Sequence, residues 1–192
     1  HSTTKFLNGH SDVIGGCVVT NNEDILKDLD FWANSLGVIG APFDSFMTLR
    51  GMRTLELRVH RAEENARKIA DILNAHESIE NVYYPGLPSH AGHEIAKKQQ
   101  EGFGAMLSFT LKGGIESVRK FVDALQVFRL AQSLGGTESL VNHPATMTHV
   151  SMGDEARAKA CVTDGLLRLS VGVEHIEDLS EDLNHALQAA MA

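Results

Sequence analysis

The spacing of apolar residues between positions 42 and 75 predicts a long helix. Apolar side chains recur there at steps of three and four, which places them along one side of a helix: Leu55, Val59, Ala62, Ala66, Ile69 and Leu73. The intervening charged residues are expected to form a solvated, salt-bridged surface: Arg58, Arg61, Glu63, Glu64, Arg67 and Lys68. Gly51 indicates a bend or a close helix contact. A helix of this length is expected to connect two domains.

The remaining apolar pattern alternates between helix and strand. Residues 22–37 are typical of a helix, because Asn22 suits the N-cap and Gly37 the stop. Further helices are predicted at 93–100, 115–125 and 176–191. Continuous apolar runs predict strands at 13–19, 105–111, 127–136 and 166–173, the first of them buried. Because strands alternate with helices, the predicted fold class is α/β or α+β.

Composition excludes several classes of partner. The 192 residues suffice for one sizeable core, or for one core and part of another. The net charge of −8 argues against nucleic acid or an anionic membrane as a partner. No apolar run approaches the roughly 20 residues of a membrane span. Cys17 and Cys161 both lie among apolar neighbours, so we expect two buried thiols in a reducing compartment, with the cytoplasm as the default location.

Lys5 is the first candidate for chemistry. A lysine is a nucleophile only when its amine is neutral, and its best-known covalent role is to form a Schiff base with a carbonyl cofactor such as pyridoxal phosphate (PLP). A phosphate also needs hydroxyl donors, and Ser2 and Thr4 lie within three residues of Lys5. Ser or Thr beside Lys is nevertheless common. The spacing alone therefore favours a surface lysine.

Arg168 is the second candidate, because a charge interrupts the apolar run of a predicted strand. Arginine binds a carboxylate through a two-pronged fork, but a buried ion pair explains the pattern equally well. Ser133 lies at a predicted strand-to-turn junction, where functional hydroxyls and backbone donors often occur. A hydroxyl that stabilises the turn is the alternative for Ser133.

The ten histidines do not predict a metal site. His90, His93 and Glu94 form the nearest approach to a ligand cluster, but no second cluster has a suitable spacing. His10 either supports the Lys5 segment through hydrogen bonds or caps a turn. His143 and His149 flank a loop that we place near the functional site without a ligating role. The glycine pairs match no nucleotide-binding motif.

Three blocks of the sequence resemble the PLP-dependent enzymes of Cys/Met metabolism. They are, in order, HSTTKFLNGHSDVIGG, AQSLGGTESLVNHPATMTH and LLRLSVGVEHIEDLSEDL, and the resemblance runs from residue 1 to about 190. It implies that Lys5 forms the Schiff base and moves protons, with Ser2 and Thr4 binding the cofactor phosphate. It also implies that Arg168 binds the substrate α-carboxylate with help from the backbone of Ser133.

The resemblance also implies a reaction. Its closest branch is bacterial and catalyses γ-replacement, in which cysteine displaces the acyl group of an activated homoserine ester to give cystathionine. The β-lyases tend to carry Trp after the serine, whereas this chain has Leu134. The γ-lyases and homoserine sulfhydrylases stay open. Many γ-synthases and γ-lyases have Glu where this chain has Gln132, a neutral amide facing the distal part of the substrate.

The implied architecture is the C-terminal part of a fold-type I PLP-dependent transferase. Residues 1–58 would close the PLP-binding large domain and include the linker helix. Residues 59–192 would form the small domain, an antiparallel sheet with helices on one side. The family's remaining cofactor ligands precede Lys5, so we expect a fragment of a homotetramer, a dimer of dimers, that acts on amino-acid substrates.

Overall fold

A computed structural model describes the backbone of residues 1–192 and every side chain except that of Asp154. The chain divides into two compact units, His1–Glu56 and Leu57–Ala192. The expected boundary between residues 58 and 59 lies near this division, while the role assigned to each domain stays a prediction. Of the described residues, no helix combines the length and apolar character needed to cross a membrane.

The first unit consists of a tight turn, two helices and extended segments. Thr3–Leu7 form a turn of π-helical type. Helix α1 spans Glu23–Leu36, and the Asn22 side chain accepts two of its first amide protons. Gly37 ends α1 in the left-handed conformation with φ of 66°, which glycine adopts without steric cost. Both helix signals that the sequence predicted for α1 are thus confirmed.

The long helix predicted over 42–75 is two helices in the structure. Helix α2 spans Pro42–Met52 and helix α3 spans Leu55–Ala75, with a turn between them. The prediction of one continuous helix was therefore wrong at this turn. Gly51 does mark a close contact, because a side chain at this position would collide with the carbonyl oxygen of Asn8.

Residues 13–19 do not form the buried strand that the apolar run predicted. Gly16 makes one isolated antiparallel bridge with Ser2. Val13 is buried, but the other large apolar side chains of the segment are exposed: Ile14, Val18 and Val19. The prediction was wrong because a strand needs a neighbour along its length, and residues 1–3 supply only a short one.

The second unit is built on a five-stranded sheet with the order β1-β2-β5-β4-β3. The strands are β1 (Ile79–Tyr83), β2 (Met106–Leu111), β3 (Arg129–Leu130), β4 (Leu140–Asn142) and β5 (Leu166–Ser170). All neighbours pair antiparallel except β3 and β4, which are parallel. The helices besides α3 are α4 (His93–Gln99), α5 (Gly114–Ala124), α6 (Asp154–Lys159) and α7 (Ile176–Met191).

One face of this sheet carries the core. Alternate residues of β2 and β5 are buried there: Leu107, Phe109, Leu167 and Leu169. The ring of Phe109 meets that of Phe121 on α5 at 5.7 Å between centroids. The predicted stripe of α3 is buried at four of its six positions: Ala62, Ala66, Ile69 and Leu73. The helices therefore cover the apolar face and leave the polar residues of β2 and β5 on the other.

Two predictions about side-chain exposure were wrong. Arg58 and Glu63, expected on the solvated face of α3, are buried, because α3 buries a wider face than its apolar stripe alone. Glu63 accepts the amide protons of Phe103 and Gly104 and pairs with Arg67. Cys17 and Cys161 were expected to be buried, but Cys17 is half-buried and Cys161 is exposed in the turn that follows α6.

Candidate functional site

Lys5 lies at an irregular point of the Thr3–Leu7 turn. Its φ of −98° and ψ of −132° depart from helical values, so the turn does not continue as a regular helix. The Asn8 amide donates to the carbonyl of Thr3 at 3.1 Å, and the Gly9 amide donates to that of Lys5 at 2.8 Å. These bonds hold the backbone around Lys5, whose side chain is half-buried.

The residues before Lys5 are anchored to a second segment. The backbone nitrogen of His1 donates to the Cys17 carbonyl at 2.7 Å, and the Cys17 amide donates to the His1 carbonyl at 2.8 Å. The Thr3 amide donates to the Gly15 carbonyl at 2.9 Å. A short antiparallel ladder thus fixes the backbone directly before Lys5.

Two hydroxyls flank this anchored backbone. The Thr4 hydroxyl accepts the Gly15 amide proton at 3.0 Å, and its own proton points to the Gly15 carbonyl at 3.3 Å. This second contact is long for an O–H donor, so the proton is readily redirected to a better acceptor. Ser2 is exposed. Hydroxyls at both positions, next to a lysine amine, fit the phosphate and the carbonyl of PLP.

Asn8, which the sequence did not single out, supports the same turn. It is 1% exposed, and its side-chain amide donates to Asp12 Oδ1 at 2.6 Å. The Nδ1–H of His10 donates to the Asn8 carbonyl at 2.7 Å, which favours the supporting role over a turn cap for this histidine. An asparagine directly followed by Gly9 was the turn signal available in the sequence.

Arg168 projects from the polar face of β5. Its Nη2 donates to the carbonyl oxygens of Gln132 at 3.2 Å and Ser133 at 3.1 Å, so the fold brings these three predicted residues together. Its Nε is buried with no hydrogen-bond partner among the described residues. Burial lowers the pKa of the Arg168 guanidinium below its ordinary value, because desolvation disfavours the charged form. A bound anion would satisfy the Nε–H and offset that cost.

Polar side chains flank Arg168 across the sheet. Ser108 on β2 and Asn142 on β4 are its register partners, and residues in register share one face. Asn142 is 1% exposed, and its side chain accepts the Thr148 hydroxyl proton at 3.1 Å. The loop that we expected near the functional site therefore starts beside Arg168. Asn142 was missed because β4 is only three residues long.

The histidine pair near residue 90 has structural contacts. The Nδ1–H of His93 donates to the Pro85 carbonyl at 2.7 Å, and its ring stacks on Phe103 at 5.3 Å. Across the residues whose side chains are described, no group of three or more His, Cys, Asp or Glu could hold a metal ion.

The chemistry of these two donor sets suits one class of protein. Hydroxyls beside a lysine suit a cofactor with a phosphate and a carbonyl, and an arginine with a vacant donor suits a carboxylate. PLP-dependent enzymes that act on amino acids need both.

The family model described as Cys/Met metabolism PLP-dependent enzyme matches residues 1–188, and the chain belongs to this family. Its members depend on PLP, so the predicted family and cofactor are confirmed.

Three similar proteins define the match more closely. A cystathionine gamma-synthase of Escherichia coli is 50% identical over 190 residues, 99% of this chain and 49% of that protein. A cystathionine beta-lyase of Coxiella burnetii is 52% identical over 188 residues, 97% of this chain and 49% of that protein. The crystal structure of cystathionine gamma synthase from Xanthomonas oryzae, in complex with aminoacrylate and cysteine, is 55% identical with a TM-score of 0.96.

That structure is matched over 100% of this chain and 49% of its own, which confirms the predicted α/β fold of the C-terminal part of such an enzyme. The chain spans about half the length of the relatives that it matches.

Proposed function

We propose that the protein to which this chain belongs catalyses γ-replacement on an activated homoserine ester with cysteine, giving cystathionine. The observation that carries the proposal is the arrangement of Arg168, whose buried Nε lacks a partner in the described part of the chain while Nη2 holds the Gln132 and Ser133 carbonyls. Such an arginine suits the α-carboxylate of an amino acid. Relatives named cystathionine gamma-synthase, at 50% and 55% identity, support the choice of reaction.

In this proposal the first unit binds the cofactor and moves protons. Ser2 and Thr4 would donate hydrogen bonds from their hydroxyls to the cofactor phosphate, and Nζ of Lys5 would hold the cofactor covalently. When bound, PLP withdraws electrons from the substrate carbon that carries the amino group. The neutral Nζ of Lys5 would accept a proton from that carbon and would deliver it to a neighbouring carbon of the substrate.

The second unit binds and orients the substrate. Arg168 engages the α-carboxylate, and the backbone of Ser133 adds a donor to the same group. Gln132, which is exposed, faces the distal part of the substrate. Its amide forms hydrogen bonds with the amino group of cysteine but provides no opposite charge. The proposal therefore includes weaker recognition of the distal amino group than a carboxylate at this position would give.

Borohydride reduction of the PLP-loaded protein, followed by peptide mapping, tests the cofactor role. We expect the label on Lys5 and its loss in Lys5→Ala, with the label retained in the matched variant Lys27→Ala on α1. A label on another lysine, or none, would contradict the proposal.

Product analysis tests the reaction. The protein is incubated with O-succinyl-, O-acetyl- and O-phosphohomoserine, each with cysteine, with sulfide, or with neither. Cystathionine supports γ-replacement by cysteine. Homocysteine formed with sulfide, without cystathionine formed with cysteine, supports the homoserine sulfhydrylase alternative. In a separate incubation with cystathionine, release of 2-oxobutyrate and cysteine supports a γ-lyase, whereas pyruvate and homocysteine indicate a β-lyase. Gln132 keeps the sulfhydrylase alternative open, because sulfide has no distal amino group to recognise.

Overall identity does not separate these branches. The Coxiella burnetii relative, named a beta-lyase, is 52% identical, and the Escherichia coli gamma-synthase is 50% identical. Leu134 after Ser133 argues against the β-lyase reaction, because those enzymes tend to carry Trp at this place.

A second proposal concerns residues 1–192 by themselves. We propose that this stretch alone is a folding and assembly module of a homotetramer and has no activity. Exposed apolar residues within 38–49 support a surface for assembly: Val38, Ile39, Phe43, Phe46 and Leu49. Tight PLP binding by residues 1–192 alone would contradict it, and gel filtration with light scattering tests the tetramer.

A further inference from the structure

Ser170 lies on the same face of β5 as Arg168. The two are separated by one residue, and alternate residues of a strand project to the same side. Leu167 and Leu169 face the helices, so Arg168 and Ser170 share the polar face. Ser170 is 1% exposed, and its hydroxyl accepts the amide proton of Gly135 at 2.9 Å.

Arg168 and Ser170 bind one loop at neighbouring points. The guanidinium holds the carbonyls of residues 132 and 133, and the Ser170 hydroxyl holds the amide of residue 135. Gly135 has φ of 77°, a conformation that favours glycine, so the loop turns sharply at the bonded residue. The hydrogen bond is buried, and leaving its N–H without an acceptor is costly.

Separate hydrogen bonds fix the far end of the loop, at residues 137–139. Glu174 accepts the amide and hydroxyl protons of Ser139 at 2.6 and 2.8 Å. The Val173 amide donates to the Thr137 carbonyl at 2.9 Å. These bonds fix residues 137–139, and the bond from Gly135 to Ser170 lies between them and the contacts of Arg168 with residues 132 and 133.

We infer that Ser170 is a positioning residue for the substrate α-carboxylate, because its bond to Gly135 sets the backbone of Ser133 relative to the Arg168 guanidinium. The inference rests on the proposed role of Arg168 in binding that carboxylate. Two donors on separate segments bind one anion strongly only when their spacing is fixed in advance. Ser170 needs no contact with the substrate to provide this.

The test compares an amino acid with its amide. The full-length, PLP-loaded protein is titrated calorimetrically with L-alanine and with L-alaninamide, which lacks the carboxylate. We expect Ser170→Ala to raise the Kd of L-alanine roughly tenfold and that of the amide less than about twofold. Arg168→Lys should raise the Kd of L-alanine by roughly a hundredfold. Ser170→Thr, which keeps the hydroxyl, should restore most of the affinity.

A double-mutant cycle separates positioning from general destabilisation. If Ser170 acts through Arg168, adding Ser170→Ala to Arg168→Lys should change the Kd of L-alanine less than about twofold. Ser180→Ala is the matched control, because the Ser180 hydroxyl donates to the Ile176 carbonyl at 2.7 Å within α7. It should leave both Kd values unchanged. Should Ser170→Ala fail to fold, Ser170→Cys provides a weaker acceptor of similar size, with a smaller rise expected.

The outcomes distinguish the positioning role of Ser170 from the proposed carboxylate-binding role of Arg168. An unchanged ratio of the two Kd values in Ser170→Ala, with a changed ratio in Arg168→Lys, overturns the inference alone. An unchanged ratio in Arg168→Lys overturns the proposed role of Arg168, and the positioning role with it. If Ser170→Ala raises the Kd of L-alanine equally with Arg168 present and in Arg168→Lys, the inference is also overturned.

Discussion

The two units use their apolar residues in different ways. In Leu57–Ala192 the large apolar side chains of helices and strands meet in one core, where Ile69, Phe109, Leu169 and Leu183 have no exposed surface. In His1–Glu56 helix α1 has no buried residue, and its apolar side chains are exposed: Ile25, Leu26, Phe31, Trp32 and Leu36. The periodicity that predicts a helix is present in both units, but it leads to burial only in the second.

This difference shows that an apolar stripe predicts a helix more reliably than it predicts the partner of that helix. Burial of apolar surface is the main favourable contribution to folding, and the second unit obtains it from its own residues. Large exposed apolar patches generally mark surfaces that contact another molecule or segment. The stability of the two units should therefore differ widely, and four experiments test how far the contrast extends.

The largest effect is expected when the units are separated. Residues 57–192 produced alone should unfold cooperatively, with the far-ultraviolet circular dichroism of a helix-and-sheet protein. Residues 1–56 alone should be largely unfolded, because isolated helices of this length are marginal without packing. Thermal melting of both pieces is the measurement. A sharp, reversible transition for residues 1–56 would contradict the predicted difference in stability between the two units.

Truncation of an aromatic ring should lower the free energy of unfolding substantially in the second unit but not in the first. Phe109→Ala should lower the free energy of unfolding by about 4 kcal/mol, because it leaves a cavity in the core and removes the ring contact with Phe121. Phe31→Ala on α1, where the ring is 62% exposed, should change it by less than about 0.5 kcal/mol. Urea titration of both variants gives the comparison, and equal losses would contradict it.

A buried carboxylate ties the last helix of the second unit to the segment before β3. Asp182 accepts the amide protons of Gln126, Val127 and Phe128 at 2.7, 3.0 and 2.9 Å. Asp182→Asn replaces an acceptor oxygen by a donor and should cost about 3 kcal/mol in the same titration. Exposed Glu181 on α7 is the matched control, and Glu181→Gln should have almost no effect.

Alkaline pH should destabilise the second unit through Tyr84. Burial, aided by the charge of Glu63, raises the pKa of Tyr84 to about 12 from its ordinary value of 10.0. Its hydroxyl donates to the Gly104 carbonyl at 3.0 Å, a bond available only to the protonated form. Since the folded-state pKa is the higher one, the stabilisation is complete below pH 10 and declines as pH rises from 10 to 12.

The expected loss is about 2 kcal/mol over this range, measured by urea titration at several pH values. Tyr84→Phe should remove this part of the pH dependence. Tyr83→Phe, a variant of a tyrosine that is 46% exposed, should leave it in place. A pH profile unchanged in Tyr84→Phe would contradict the assignment.

The helices with complete local signals were predictable from the sequence. Helix α1 has its N-cap and its stop glycine, and the apolar positions of α7 recur at helical spacing over its full length. The break between α2 and α3 was not predictable, because neither Arg53 nor Thr54 disfavours a helix strongly. Strands β1 and β4 were missed because short strands owe their conformation to sheet neighbours that local sequence does not reveal.

The candidate site was predictable only in part. Ser2, Thr4 and Lys5 are contiguous, and Arg168 stands out as a charge within an apolar run, so each was visible as a candidate. The contact of Arg168 with Ser133 joins residues 35 positions apart, and only the family resemblance indicated it. Ser170 carried a signal that was overlooked, since a polar residue two positions after a functional one on a strand shares its face.

Strand β5 is the last of the five along the chain but the central one in the sheet. During synthesis β2 and β4 are therefore complete while the partner that joins them is still missing, and each presents a strand edge without its neighbour. Such edges favour association between nascent chains. Ser170, whose hydroxyl binds the loop after β3, is thus synthesised together with β5, the strand that completes the sheet. We expect ribosome-bound chains that end before residue 166 to be protease-sensitive, with protection gained once β5 is released.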